Sequence, residues 1–313
     1  MRRLVYGSVL MSAALVVGCG ADSIQAPSRS AGPPMLERND GRSERTVDFR
    51  TIDVPGAVST TAFGINARGD IVGSYVDVSL RSHGYVLQRD VFTTIDFPGS
   101  AGTEARGIGP SGEIVGDYWL AGEPAVNVHG YQLTTHGEFV RVDYPGHINT
   151  IAQRILPDGT ILGCRHDTDM MGTMKGVDMG RRGNHEIDLF ASMTNGGTPD
   201  QRRIVGLYTN MALARQEGFL IDDGVFTPLV VPGSLSTAGW DMNPAGEIVG
   251  VYRNAAGFHG FLLIDEDYVS IDVPGATATR AFGINARGDI VGTYVAGGRS
   301  HGFLRTIGRE DGR

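Results

Sequence analysis

Ala62-Phe63-Gly64-Ile65-Asn66-Ala67-Arg68-Gly69-Asp70-Ile71-Val72-Gly73 returns residue for residue as the stretch from Ala281 to Gly292. Its last three residues recur more widely. They appear as Ile114-Val115-Gly116, Ile161-Leu162-Gly163, Ile204-Val205-Gly206 and Ile248-Val249-Gly250 as well, at spacings of 43, 47, 43, 44 and 42 residues. A second marker, His83-Gly84-Tyr85, follows each copy. It is matched at His129-Gly130-Tyr131, Lys175-Gly176-Val177, Glu217-Gly218-Phe219, His259-Gly260-Phe261 and His301-Gly302-Phe303. A third, Asp53-Val54-Pro55-Gly56, is matched at Asp96, Asp143 and Asp272 and in part at Val230-Val231-Pro232-Gly233.

Each unit reads as four short strands. In the first unit these are A (61–66), B (70–76), C (83–88) and D (91–97). They are rich in Val, Ile, Thr, Tyr and Phe and are punctuated by Gly, Pro and Asn. No segment shows a helical period. Four strands in each repeat of 40 to 50 residues predict one blade of a propeller, and six units predict an all-β, six-bladed β-propeller. The sixth unit stops after strand C. A spare strand D stands at the front of the chain (46–54), where Thr51-Ile52-Asp53-Val54 matches Ser270-Ile271-Asp272-Val273. The N-terminal strand is therefore expected to complete the last blade, which removes an open edge.

Composition fits this reading. The 313 residues include 46 glycines, roughly twice the usual share, and many of these punctuate the repeats. The net charge is -8, and Lys175 is the sole lysine. An acidic chain without a basic run is not expected to bind nucleic acid, which requires phosphate neutralisation. Two cysteines, Cys19 and Cys164, are too few for a disulfide framework.

The N-terminus reads as an address. Arg2 and Arg3 precede an apolar run from Leu4 to Val17. That run has the proportions of a signal peptide and is short for a membrane span. Leu15-Val16-Val17-Gly18-Cys19 resembles a bacterial lipobox. The resemblance implies cleavage before Cys19 and lipidation of its sulfur; an ordinary secretory signal with an incidental cysteine is the alternative. Residues 1–18 are then a signal peptide, and 19–45, rich in Ser, Pro, Gly and charge, a flexible linker. The propeller covers 46–308, with a tail at 309–313. Gly20 lacks the Asp often used for inner-membrane retention, so the outer membrane or cell surface is favoured.

The Ala-Phe-Gly-Ile-Asn-x-x-Gly-Asp-Ile-Val-Gly pattern followed by His-Gly-Tyr resembles the HAF-type extracellular repeat family of bacteria, over about residues 49–305. The resemblance implies an extracellular location and supplies no catalytic residues.

Candidate sites come from departures from the repeat. Aligned on Ile-Val-Gly, the column of Phe63 holds Arg106, Gln153, Gly196, Trp240 and Phe282. The next column, mostly Gly, holds Arg154 and Asp241. Strand A is innermost in a propeller, so these charges should border the axis. They either pair and plug the channel or join Arg106, Gln153 and Trp240 in holding a polar or anionic ligand. In blade three, His166, Asp167 and Asp169 are weak metal candidates beside Met170, Met171, Met174 and Met179, with a solvated loop as the plainer reading. Cys164 is expected to be a buried, inert thiol. The repeated His of strand C and the acids Asp53, Asp96, Asp143, Glu186 and Asp272 are expected to be structural. The acids should accept backbone N–H bonds where strand D ends, with a His–Asp hydrogen bond inside each blade as the alternative. Arg68-Gly69-Asp70 and Arg287-Gly288-Asp289 sit in hairpin turns and read as turn chemistry.

No H-E-x-x-H, G-x-S-x-G, phosphate loop or C-x-x-C occurs. No cofactor and no catalytic residue is therefore expected. The B–C interval varies from 8 to 12 residues while the Pro-Gly to Ile-Val-Gly distance stays at 15. Function is expected on the B–C face, in blades two and three. The leading expectation is a surface-tethered, non-catalytic propeller. Its partners would be the membrane, through the lipid anchor, and an envelope protein or glycan. A hydrolase or lyase at the channel mouth and a structural envelope protein without a dedicated ligand are the alternatives.

Overall fold

The computed structural model describes residues 47–307 apart from 125, 126, 181 and 182. The signal peptide, Cys19, the linker and the tail lie outside the described residues.

Six antiparallel sheets of four strands each make up the described chain. In blade one the strands are Ser59–Ile65, Ile71–Val76, Ser82–Gln88 and Val91–Ile95, in that order outwards. In blade six, Ala278–Ile284, Ile290–Ala296 and Arg299–Ile307 are followed at the rim by Val47–Ile52. Pairing there runs from Val47 opposite Ile307 to Ile52 opposite Gly302. The fold is the six-bladed propeller that the repeats predict, closed by its N-terminal strand. One feature escapes the periodicity: a single helical turn, Met170–Thr173, in the B–C loop of blade three. No helix among the described residues is long and apolar enough to cross a membrane.

The Ile-Val-Gly marker has a packing cause. Ile71 and Val72 are buried on opposite faces of strand B. Gly73 lies under the fully buried Tyr85 ring of strand C, and a Cβ there would run into the Thr61 carbonyl oxygen and that ring. Phe219, Phe261 and Phe303 cover Gly206, Gly250 and Gly292 in the same manner. The core is a series of wedges between blades. One joins Ala62 and Tyr85 of blade one to Ile52 and Val291 of blade six.

Two sets of polar contacts fasten the blades. The Oγ1 atoms of Thr60, Thr103, Thr150, Thr237 and Thr279 accept the backbone N–H of Val54, Phe97, Tyr144, Val231 and Val273, at 2.8 to 3.2 Å. Each bond pins the end of strand D to the next blade. The second set takes the side-chain alternative for the strand D acids, which meet His or Arg side chains rather than turn N–H groups. Nδ1 of His83 lies 2.8 Å from Asp96, that of His259 2.8 Å from Asp272, and that of His301 2.9 Å from Asp53. The last pair stitches the N-terminal strand to blade six. In blade two Asp143 takes Arg141, with His129 3.6 Å away, and in blade three Glu186 takes Arg165 at 2.7 and 2.8 Å.

Candidate functional site

Strand A carries a β-bulge in every blade, and the bulge sets what faces the axis. The register slips between Ala62 and Gly64 in blade one, and at the matching place in the other five. The bulged residues are Phe63, Arg106, Gln153, Asn195, Trp240 and Phe282. The blade-four member is therefore Asn195, not Gly196. The A–B turn there is one residue longer, which shifts an alignment anchored on Ile-Val-Gly by one. A bulge places two successive side chains on the same side of the strand, here towards the channel.

The residue after each bulge is Gly64, Gly107, Arg154, Gly196, Asp241 or Gly283. The glycines let the strands crowd the axis: a Cβ on Gly64 would lie 3.0 Å from the Arg106 carbonyl oxygen and 3.3 Å from the Arg154 guanidinium. Arg154 fills the space that the glycines leave. Its Nη1 donates to the carbonyls of Arg106 (2.6 Å) and Gln153 (3.2 Å), and its Nη2 to those of Phe63 (2.9 Å) and Phe282 (2.6 Å). Nε lies 3.3 Å from Asp241 Oδ2 as an ion pair rather than an aligned hydrogen bond. Asp241 also accepts from the N–H groups of Met242 (2.9 Å) and Ile284 (3.1 Å). Burial pushes the Asp241 carboxyl above its ordinary pKa, and Arg154 opposes that shift. One guanidinium thus ties together backbone from blades one, two, three and six and a carboxylate from blade five. The pair plugs the axis.

The plug divides the channel. On the A–B side it floors a funnel of about 150 Å³ walled by the A–B turns of all six blades, with Pro110, Pro157, Pro199 and Pro244 among the lining residues. On the B–C side the bulge residues form two arcs. Phe63 and Phe282 lie 5.4 Å apart and Trp240 meets Phe282 at 4.7 Å, edge to face. Arg106 closes the aromatic arc by lying 5.2 Å over Phe63. The rest of the ring is polar and buried. Arg106 donates to Glu104 at 2.7 Å and to Asp117. Burial, opposed by Arg106, pushes the Glu104 carboxyl up to about 7. Both amide atoms of Gln153, Oδ1 of Asn195 and Nε2 of His166 are buried without a hydrogen-bond partner among the described residues.

The blade-three metal candidates do not converge. Asp169 caps the helical turn by accepting from Gly172 N (3.1 Å). Asp167 takes His147 Nδ1 (3.0 Å) and Ile148 N (3.1 Å). His166 points Nδ1 to the Asp167 carbonyl at 3.1 Å, and burial lowers its pKa. Among the described residues no three His, Cys, Asp or Glu side chains are grouped to hold a metal. Cys164 is free and fully buried, and burial pushes its thiol up to about 12, which leaves it a poor nucleophile. The Arg-Gly-Asp turns are structural in geometry: Arg68 Nε donates to Asp70 (2.9 Å) and Nη1 to the Pro110 carbonyl of the next blade (2.6 Å).

A feature absent from the sequence reading lies on the B–C face. Of 14 exposed large hydrophobics among the described residues, eight sit in the B–C loops and the D–A connections that share this face. Val58, Ile148 and Leu235 occupy one repeat position, two residues before the Thr that pins each blade, and Phe190 stands likewise before Ser192, whose hydroxyl accepts from Gly176 N (2.9 Å). Val78 with Leu80, and Met211 with Leu213, crown the B–C loops of blades one and four. The expectation had placed this emphasis on blades two and three. A repeated apolar residue just after the D–A turn was the available signal.

The fold defines the chain as a β-propeller protein. No family model and no curated relative matches it. Solved structures do. A protein of unknown function from Dyadobacter fermentans superposes with a TM-score of 0.54 at 13% identity, over 84% of this chain and 99% of that one. A virginiamycin B lyase from Staphylococcus aureus gives 0.50 at 13% identity, over 84% and 100%. A fucose-specific lectin from Aleuria aurantia gives 0.50 at 10% identity, over 81% and 96%. At these identities the likeness is one of fold.

Proposed function

We propose that this protein is a non-catalytic binding propeller, tethered to the bacterial envelope through lipidated Cys19, which holds an envelope protein or glycan on its B–C face. The carrying observation is the concentration of exposed apolar side chains on that face, beyond what scattered surface hydrophobics need explain. The plug supports a binding role. Of Arg106, Gln153, Arg154 and Asp241, on which a hydrolase or lyase reading rests, Arg154 and Asp241 direct their polar atoms at backbone and at each other, and Arg106 meets Glu104 and Asp117. The neighbours in fold are themselves functionally varied, a lyase and a lectin among them.

The test is capture from envelope extracts together with a glycan array, comparing the wild type with a Leu80→Ser, Leu213→Ser double variant. Capture that falls about tenfold or more in the variant is the expected outcome, since losing two exposed apolar anchors removes a few kcal/mol. Undiminished capture would move the binding face elsewhere. Tethering is read separately by palmitate incorporation, which Cys19→Ala should abolish.

A further inference from the structure

The described arginines are mostly paired. Arg68, Arg106, Arg141, Arg154, Arg165 and Arg215 each meet a carboxylate, in keeping with an acidic chain. Two at the B–C mouth of the channel do not. Arg253 and Phe258 are cross-strand partners flanking the tight B–C hairpin of blade five. Arg280 lies on strand A of blade six, two residues nearer that face than the bulged Phe282. Both guanidiniums lie over the one Phe258 ring, at 4.2 Å for Arg280 and 5.8 Å for Arg253. Neither has a carboxylate or a hydrogen-bond acceptor among the described residues. Burial without a counter-charge lowers the Arg280 pKa.

Stacking occupies the face of a guanidinium and leaves its edge of N–H donors unused. Two such edges at a channel mouth, with no protein acceptor, present the donor pattern that a carboxylate accepts in bidentate fashion. Phe258 and Trp240 each pack against the cluster of Phe63, Val251 and Phe282, and Trp240 stays partly exposed. Apolar surface therefore continues inwards from the cationic pair to Trp240. Arg154 closes the shaft beyond it, so what enters does so end-on.

We propose that Arg253 and Arg280 receive the carboxylate of a terminal acidic sugar, a uronic acid, whose ring lies against the partly exposed Trp240. The site deepens the binding role of the B–C face and rests on that reading. It lies on blades five and six, away from the apolar loops of blades one and four.

The experiment titrates the full chain with trigalacturonate, with maltotriose as neutral control and an acetylated aspartyl peptide as acidic control. Calorimetry gives the affinity, and tryptophan fluorescence reports on Trp240 against Trp119, the other tryptophan. Trigalacturonate is expected to bind at least about tenfold more tightly than either control, and Arg280→Gln and Arg253→Gln each to weaken it about tenfold. An unchanged thermal midpoint shows that each variant folds, and Phe258→Leu, which keeps both charges, should weaken binding less than either arginine variant. No binding of trigalacturonate, equal binding by the arginine variants, or a preference for the peptide would overturn the assignment. If trigalacturonate fails while capture still depends on Leu80 and Leu213, the uronate site falls and the binding face stands. Failure of both removes both.

Discussion

Glu104 shows how a single side chain departs from its repeat. The equivalent residue in blade one is Thr61, and a carboxyl in that place is buried beside Asp117 with only Arg106 to serve both. Its pKa is raised to about 7 in the folded chain. A carboxyl whose folded pKa is raised adds to stability below its unfolded value, and that contribution is lost as pH climbs to the folded one. Glu104→Gln should therefore gain on the wild type as pH rises from about 5 to about 7, by about 1–3 kcal/mol, and hold a constant difference above that. Urea midpoints measured across this range check it, and a pH-independent offset would contradict it. That Arg106 and Gln153 depart from the repeat was legible from the column alone. Which groups Arg106 would meet was not, because Asp117 comes opposite Glu104 only through strand pairing, and Asn195 joins the ring only through a one-residue shift of the bulge. The missing counter-charges of Arg253 and Arg280 were hidden for the same reason: pairing is a property of space, and both residues look like ordinary strand positions.

At the scale of the element, Arg154 ties together the innermost strands of five of the six blades. Removing its guanidinium strands Asp241 in a buried site and frees four carbonyls. Arg154→Met should cost about 3–5 kcal/mol, as breaking a buried pair does. Adding Asp241→Gly restores the glycine of the neighbouring repeats and removes the orphaned charge. The double variant should thus be more stable than Arg154→Met alone, and chemical denaturation of the three proteins decides this. Strand positions themselves were readable from the markers to within about two residues. The Thr hydroxyls at the D–A junctions were equally periodic, six residues after Val54 and its counterparts, yet their role depends on a neighbour in the next blade.

For the whole molecule, closure is the controlling fact. Val47–Ile52 covers the last strand of blade six, and Asp53 holds His301. Deleting residues up to 53 exposes the edge of Arg299–Ile307, a template for pairing between chains. The shortened protein should melt at a lower temperature and associate, seen as a rise in light scattering before the transition. A monomer with an unchanged midpoint would show that the ring does not need its clasp. Six-fold architecture was the most legible property of all, since three markers share one period. The missing strand at one end and the spare at the other announced the closure.

The clasp also has a consequence in time. The strand that emerges first during synthesis is the one used last. Its partner, Arg299–Ile307, is nearly the whole chain away, and at roughly 5–20 residues per second the ribosome needs on the order of a quarter to most of a minute to supply it. Until then five blades can assemble from local hairpins while the sixth waits as three strands. Ring completion, the contact of greatest sequence separation, is therefore the slow and exposed step of maturation.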